Sequence, residues 1–172
     1  HISLVFHRYI TGDYGTKISF SINGNICPSA DPFLKEKSTN QPPEVIANKC
    51  RVISYPLPHH TNCSSEDWDF HAGEEGYLAN QGFYLYRNGR LICKATWFGL
   101  ARKLEMRKLC RISIDIDNSS DSEWQLDVKK SRATPPQMIR GRLRDLIYAF
   151  SRPAIKKYTK RAIALMNKEK SP

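Results

Sequence analysis

The sequence predicts an α+β fold in which a mixed or antiparallel sheet of about four strands carries helices on one face. Apolar and polar residues alternate in several short segments, most clearly in residues 110–116, and this period is typical of strands. Asn-Gly pairs at 23–24 and 88–89 predict tight hairpin turns, because this pair tolerates the positive φ angles that such turns need. After Pro135 and Pro136 the apolar spacing changes to that of helices.

Residues 1–44 are expected to contain a helix, a hairpin and a linker. In residues 2–10 the apolar positions share one helix face. Residues 17–26 alternate on both sides of the first Asn-Gly turn, which predicts a short hairpin. Residues 28–43 are polar and rich in breakers, so we expect a linker here and a domain boundary at about residue 44.

Residues 45–136 form the predicted central domain. Its strands are expected at residues 45–57, 82–92, 110–116 and 124–129, with residues 82–92 folded into a hairpin. Residues 59–80 are acidic and irregular, which predicts a short helix or an exposed loop, and residues 97–109 predict a loop with a short basic helix.

Residues 137–172 form the predicted basic helical extension. An apolar stripe at helical spacing runs from Ile139 to Phe150. Ser151 and Pro153 have the residue types of a helix cap and a first-turn proline, so a second helix is expected to begin there.

The positive charge of the chain is concentrated in its C-terminal part. Residues 1–100 contain nine basic and nine acidic residues, whereas residues 101–172 contain 18 basic and eight acidic residues. The whole net charge of +10 therefore lies in the last 72 residues. A general need for solubility does not explain this asymmetry, which indicates an anionic partner such as a nucleic acid, a nucleotide or an acidic protein face.

Composition disfavours several classes of protein. No apolar run approaches the length of a membrane span, and the first ten residues are too polar for a signal peptide. The five cysteines are odd in number and form no CxxC pair, which favours a reducing, cytoplasmic compartment over a disulfide framework. His59, His60, Cys63 and His71 lie close together in the sequence, but their spacing matches no standard metal site.

The chain lacks the motifs of a complete enzyme. There is no nucleophile elbow, phosphate-binding loop or pair of catalytic carboxylates, and we interpret Asp115 and Asp117 as surface residues. The sequence also begins without Met, so we expect an excerpt from a longer protein.

The segment 123–136 is the most informative part of the chain. Trp124, Leu126 and Val128 alternate with polar residues, which predicts a strand that ends at Lys129 and Lys130. A lysine at the end of a rigid strand can be directed at an anion outside its own domain. The alternative interpretation is an ordinary solvated charge run.

The order of these segments resembles the transducer domain of GHKL-type ATPases. This group includes the gyrase B subunit, MutL-type mismatch repair proteins, the large heat-shock chaperones and MORC proteins. The hairpin at Tyr86–Leu91 and the lysine-bearing segment Gln125–Ser131 are similar to the MutL-like version. Residues 6–8, 22–25 and 31–33 resemble motifs of MORC-like bacterial ATPases, with Phe in place of the first Tyr of the Tyr-His-Arg triplet.

The resemblance implies that residues 1–44 are the tail of an ATP-binding domain whose main part lies upstream. ATP and Mg²⁺ would bind to that domain, because the family's Asn-bearing helix, aspartate-glycine motif and glycine-rich lid have no counterpart here. The fragment alone is expected to bind no cofactor and to be inactive. Its partners would be its own N-terminal ATPase domain and, in a closed clamp, a second copy of the protein.

In this family the transducer contributes a lysine to the γ-phosphate of ATP. The match places this role on Lys130 or Lys129, and we favour Lys130 because it lies beyond the predicted strand. Arg132 is a lesser candidate for the same contact. A cation in this position would stabilise the charge of the transferred phosphoryl group.

A non-catalytic module that binds nucleic acid is the alternative function. The basic C-terminal helices would then contact DNA phosphates without a special role for any lysine of the loop. The candidate contacts are Arg140, Arg144, Lys156, Lys160 and Arg161.

Overall fold

The computed structural model of the chain describes residues 1–38, 41–47 and 49–169. Beyond Ala149, the side chains it describes are those of Ser151, Arg152, Ile155, Lys156, Thr159 and Ile163. The predicted contacts of Lys160 and Arg161 therefore lie outside the described side chains. Among the described residues, no helix combines the length and the apolar character that a membrane span requires.

The fold is α+β, as predicted. Five helices are described, namely α1 (Ile2–Val5), α2 (His7–Thr11), α3 (Ser65–Ala72), α4 (Gly76–Ala79) and α5 (Gln137–Glu169). The described strands are β1 (Ser21–Ile22), β2 (Asn25–Ile26), β3 (Glu44–Ile46), β4 (Cys50–Pro56), β5 (Gly82–Arg87), β6 (Arg90–Thr96) and β7 (Cys110–Ile116). Single 3₁₀ turns lie at His60–Asn62, Glu105–Arg107 and Asn118–Ser120.

The central sheet has five strands in the order β3-β4-β7-β5-β6, one more than expected. It is mixed, because β5 and β7 run parallel while the other neighbours are antiparallel. Two of the five strands come from the region predicted as one strand at residues 45–57, where a turn between Ile46 and Cys50 makes a hairpin, whereas the predicted strand 124–129 is not part of the described sheet.

Both Asn-Gly pairs form the predicted hairpin turns. Asn23 and Gly24 have φ angles of 51° and 80° between β1 and β2, and Asn88 and Gly89 have φ angles of 47° and 76° between β5 and β6. Positive φ at both central residues is the requirement of a type I′ turn. Local turn chemistry therefore determined both hairpins.

The two faces of the sheet bury different side chains, because successive residues of a strand point to opposite sides. On one face Val52, Phe83 and Ile114 form a cluster with residues of α5 such as Leu143. The second face carries another buried cluster, which consists of Phe33, Ile53, Tyr55, Tyr84, Tyr86, Leu91 and Ala95. Residues 1–38 contribute to this cover through the wholly buried Phe33 and the partly buried Leu4.

Two expectations about this architecture need correction. Helices were expected on one face, but α1 contacts β6 and its Leu4 packs against the second cluster, whereas α5 covers the first face. The polar segment 28–43 was expected to be a linker, yet Phe33 within it is fully buried against Tyr55 and Tyr84. Hydrogen bonds from Arg111 to the carbonyl oxygen of Pro32 and from the N–H of Gln41 to the carbonyl oxygen of Ser54 also attach this segment to the sheet.

The predicted strand 124–129 is wrong. These residues lie mainly in turns. The β-type pairing described for them is an isolated antiparallel bridge between Asp127 and Arg132. Gln125 has a φ angle of 45°, which is incompatible with an extended strand. The alternation has another cause, since Trp124 is 1% exposed and anchors the turn in the core beneath α5.

The predicted second helix at Ser151 and Pro153 is also wrong, because α5 continues from Gln137 to Glu169. Ser151 is buried, and its hydroxyl group donates a hydrogen bond to the carbonyl oxygen of Ile147. This is the bond of a serine inside a helix, four residues from its acceptor, and not that of a helix cap.

Candidate functional site

The first candidate site is a basic turn, which we define as residues 127–132. Asp127 and Arg132 close it through two backbone hydrogen bonds, of 2.9 and 3.1 Å. The carboxylate of Asp127 accepts a hydrogen bond of 3.1 Å from the backbone N–H of Lys130, and Ser131 has a φ angle of 50°. Trp124 and Leu126, which precede the turn, pack in and against the core, while the cationic side chains of the turn face solvent.

The two lysines of the basic turn differ in their surroundings. The Lys130 ammonium lies 3.6 Å from a carboxylate oxygen of Asp127 and its side chain is 72% exposed. Lys129 is exposed and makes no hydrogen bond or ion pair with any described residue, and the same holds for the guanidinium of Arg132. All three cations are thus available to an external anion, although they do not stand at a strand end as predicted.

The second candidate site is the basic surface of α5. Arg140, Arg144 and Lys156 form no ion pair with any described residue, and Arg144 and Lys156 are exposed. Arg142 differs from them, because its guanidinium makes two hydrogen bonds, of 2.6 and 2.8 Å, to the carboxylate of Glu44 on β3. This surface therefore carries positive charges without counter-ions among the described residues. Arg142, in contrast, attaches α5 to β3.

The third region is a buried polar layer on the second face of the sheet, which sequence reasoning missed. Arg111 and Ser113 of β7 are 3% and 0% exposed, although the alternation of β7 predicted that they face solvent. Asp115, on the same side of this strand, is only partly buried and is not a free surface residue as interpreted above. The N-terminal segment contacts Arg111 through the carbonyl oxygen of Pro32 and Asp115 through Arg8.

An ion pair joins α2 to β7 in this layer. The guanidinium of Arg8 forms a short hydrogen bond to Oδ1 of Asp115 and a second contact of 3.4 Å to Oδ2. The same guanidinium lies 3.5 Å from the centre of the Tyr86 ring. A cation that stacks on an aromatic face and also pairs with a carboxylate is strongly restrained in orientation.

His7 occupies the centre of the polar layer. It is fully buried, and its Nε2 atom forms a hydrogen bond of 2.8 Å with the hydroxyl group of Tyr86. Burial, together with the positive charge of Arg8, lowers the pKa of His7 to about 3. Burial likewise raises the pKa of Tyr86 well above its usual value. Both groups are therefore neutral near pH 7, and their contact is a neutral hydrogen bond.

The described residues offer no obvious metal centre. No group of three or more His, Cys, Asp or Glu side chains converges among them, and all five cysteines are free thiols. His71 instead bonds through Nδ1 to the backbone carbonyl of Asp67, and His59 stacks with His60 near Trp68.

One sequence signal could have indicated the polar layer. His7 and Arg8 interrupt the apolar pattern of residues 2–10, and Asp115 alternates with isoleucines in β7, as do Arg111 and Ser113. Opposite charges in two elements can pair when these elements pack, but the separation of 107 residues between Arg8 and Asp115 gave no indication of that packing.

Comparison with known proteins adds no further information on the site. No family model, no curated protein and no solved structure matches this chain.

Proposed function

We propose that this chain is the coupling part of a GHKL-type ATPase, a transducer. The family's left-handed βαβ arrangement is not the connection of the described parallel strands, because β5 and β7 are joined through β6 and the 3₁₀ turn Glu105–Arg107. The chain would transmit the state of ATP, bound in an upstream domain with Mg²⁺, to the closure of a dimeric clamp. Residues 1–44 would be the end of the ATP-binding domain, and a lysine of the basic turn would contact the γ-phosphate. This contact would stabilise charge on the transferred phosphoryl group.

The observation that carries the proposal is the meeting of its distant motifs. His7 and Arg8 of one motif, and Phe33 of another, all contact Tyr86 of the central sheet. Arg8 also pairs with Asp115 of the neighbouring strand. A rotation of the N-terminal segment would therefore act directly on the sheet, which is the mechanical connection that a transducer needs.

The basic turn fits a contact with phosphate. Its lysines are exposed, its backbone is closed by hydrogen bonds, and Lys129 has no counter-ion among the described residues. Lys130 would have to exchange a weak contact with Asp127 for the phosphate, and at 3.6 Å in solvent that contact is worth little. No cluster of carboxylates among the described residues would hold Mg²⁺. The proposed contribution of this chain to the phosphate contact is therefore the lysine ammonium group.

The test requires a protein that contains this chain together with an ATP-binding domain upstream. Lys130→Ala is expected to lower ATP turnover by about a hundredfold, the usual effect of removing one preorganised donor, with nucleotide affinity nearly unchanged. Single-turnover kinetics and nucleotide titration measure the two effects separately.

Lys129→Ala is the matched control, because it removes the same charge from the adjacent position. If only Lys129→Ala is damaging, the role moves by one residue. If neither substitution changes turnover, the proposed contact is wrong.

Nucleic-acid binding is a second candidate function, favoured by the unpaired cations of α5. If Arg140 and Arg144 contact phosphates, replacing both by Ala should weaken binding to a DNA duplex and reduce the dependence of log K on log salt by about 2. Fluorescence anisotropy at several salt concentrations measures both quantities.

The control for this experiment is the double substitution Lys17→Ala with Arg51→Ala. Both side chains are exposed, neither has a described ion-pair partner, and the same two charges are lost. Equal weakening by the two double variants would indicate a general effect of net charge and would contradict a specific surface on α5.

A further inference from the structure

An open cavity of about 190 Å³ lies where the N-terminal segment, α3 and the sheet meet. Leu4 and Pro32 line it from the N-terminal segment, Phe70 from α3, and Tyr84 from β5. These walls are mainly apolar. The cavity is therefore shaped for a ligand with an apolar body more than for a hydrated inorganic ion.

A buried cation without a carboxylate partner lines this cavity. Arg111 is 3% exposed, and its guanidinium donates hydrogen bonds to two backbone carbonyl oxygens, those of Pro32 at 2.6 Å and of His71. Its Nε atom is buried and has no hydrogen-bond partner among the described residues. No described acidic side chain lies within ion-pair distance, in contrast to Arg8, which pairs with Asp115.

The guanidinium of Arg111 also lies 5.8 Å from the ring centres of Tyr77 and Tyr84. A buried charge that is compensated by backbone dipoles and aromatic rings without a carboxylate is costly, and an anion that reaches it recovers part of that cost. Lys94 adds a second cation to the cavity lining, with Glu75 at 3.4 Å. Asp31 is the acidic side chain of the lining, and its carboxylate already accepts a hydrogen bond of 3.1 Å from the backbone N–H of Phe33. The cavity therefore favours an anionic ligand.

We propose that this cavity binds a small organic carboxylate, whose oxygen atoms accept hydrogen bonds from Arg111 and whose apolar body packs between Phe70 and Tyr84. The Nε–H group of Arg111 has no partner among the described residues, and it is the donor that a carboxylate oxygen would engage. The ligand would bridge the N-terminal segment and the sheet, so binding would stabilise their contact. This inference does not depend on the proposed role in ATP coupling.

The test is an NMR titration of the chain with benzoate, read from the Nε–Hε signal of Arg111 and the methyl signals of Leu4. Benzoate is expected to shift both sets of signals with a Kd on the order of 1 mM, as is usual for so small a ligand. Benzamide, which has the same shape without charge, is expected to bind at least about tenfold more weakly. Inorganic phosphate is the third probe.

Each probe can overturn the proposal. Absence of a shift with benzoate would exclude the site, and equal binding of benzamide would exclude recognition of the charge. Binding of phosphate without benzoate would show that the ligand class is wrong.

Two variants locate the site without disturbing the hydrogen bonds of Arg111. Ala30→Leu fills the cavity from its wall and should abolish the benzoate shifts, whereas Lys94→Ala should weaken binding by about twofold to fivefold, as expected for a partly exposed charge. Unchanged affinity in Ala30→Leu would place binding elsewhere and overturn the proposal. Met138→Leu, on the exposed surface of α5, is the control that should change nothing.

Discussion

The two faces of the central sheet are covered in different ways. On the first face, α5 contributes apolar side chains such as Leu143 and Ile147 to one large cluster. On the second face, residues 1–38 combine the apolar Phe33 with the ion pair of Arg8 and Asp115 and the hydrogen bond of His7. Apolar burial is non-directional and independent of protonation, whereas polar pairs depend on geometry and charge.

This difference indicates which contact can be released. A helix held by apolar burial separates from the sheet only at a large cost in free energy, over its whole area. A segment held by a few directional pairs can separate when one partner is changed, and the rest of the core remains intact. The second face is therefore the better place for a contact that changes during a functional cycle.

The largest expected effect comes from the apolar face. Leu143 is fully buried, so Leu143→Ala should lower the free energy of unfolding by about 3 kcal/mol through lost burial and the cavity that remains. Urea unfolding measures this change, and fluorescence and circular dichroism should report the same decrease in the free energy of unfolding. Met138→Ala, at a position 78% exposed on the same helix, should have almost no effect. A small loss in Leu143→Ala would contradict the tight packing of this face.

A smaller and more local effect is expected from the polar face. Asp115→Ala leaves the largely buried guanidinium of Arg8 without its partner, and should cost about 2 kcal/mol after allowance for partial exposure. Amide hydrogen exchange should accelerate first in α1 and α2, while β7 stays protected.

The matched control for Asp115→Ala is Asp121→Ala. It removes an equally bidentate but more exposed pair with Arg87 and should cost less than about 1 kcal/mol. Uniform loss of protection across the sheet in Asp115→Ala would show that the two faces unfold together and would remove the basis of the comparison.

The smallest expected effect, for a decrease in pH from 7 to 5.5, is a pH dependence of stability that originates on the polar face. The pKa of His7 is lowered to about 3 in the folded protein from 6.5, so the unfolded chain binds one more proton between these values. The contribution of His7 to the free energy of unfolding is therefore fully present above pH 6.5 and decreases as the pH falls toward 3. At pH 5.5 the free energy of unfolding should be lower by about 1 kcal/mol.

Asp31, whose pKa is raised by burial, acts in the opposite direction, because the folded protein protonates this carboxyl at a higher pH than the unfolded chain does. Comparison with His7→Gln, which retains a polar group for Tyr86, isolates the contribution of the histidine. An equal pH dependence in this variant would show that His7 is not responsible.

The predicted site residues illustrate how far local reasoning extends. The exposure of Lys129 and Lys130 followed from their charge. The predicted strand before them is a turn in the structure, and this turn places the indole of Trp124 in the core. An alternating pattern of apolar and polar residues indicates which side chains are buried. A turn can bury the same side chains as a strand, so the pattern does not distinguish the two. Ser151 is a similar case, since its hydroxyl group can bond within a helix as well as at its start.

The sequence by itself determined the α+β class, both Asn-Gly hairpins, β7 and the apolar stripe of α5. These features depend on turn chemistry and on periods shorter than about eight residues, which neighbouring side chains are sufficient to specify. Only the tertiary structure decided that the polar side of β7 is buried. The hydrogen bonds from this side to Pro32 and Arg8 connect residues 79 and 107 positions apart, and whether a polar strand face meets water or another segment is set by that distant packing.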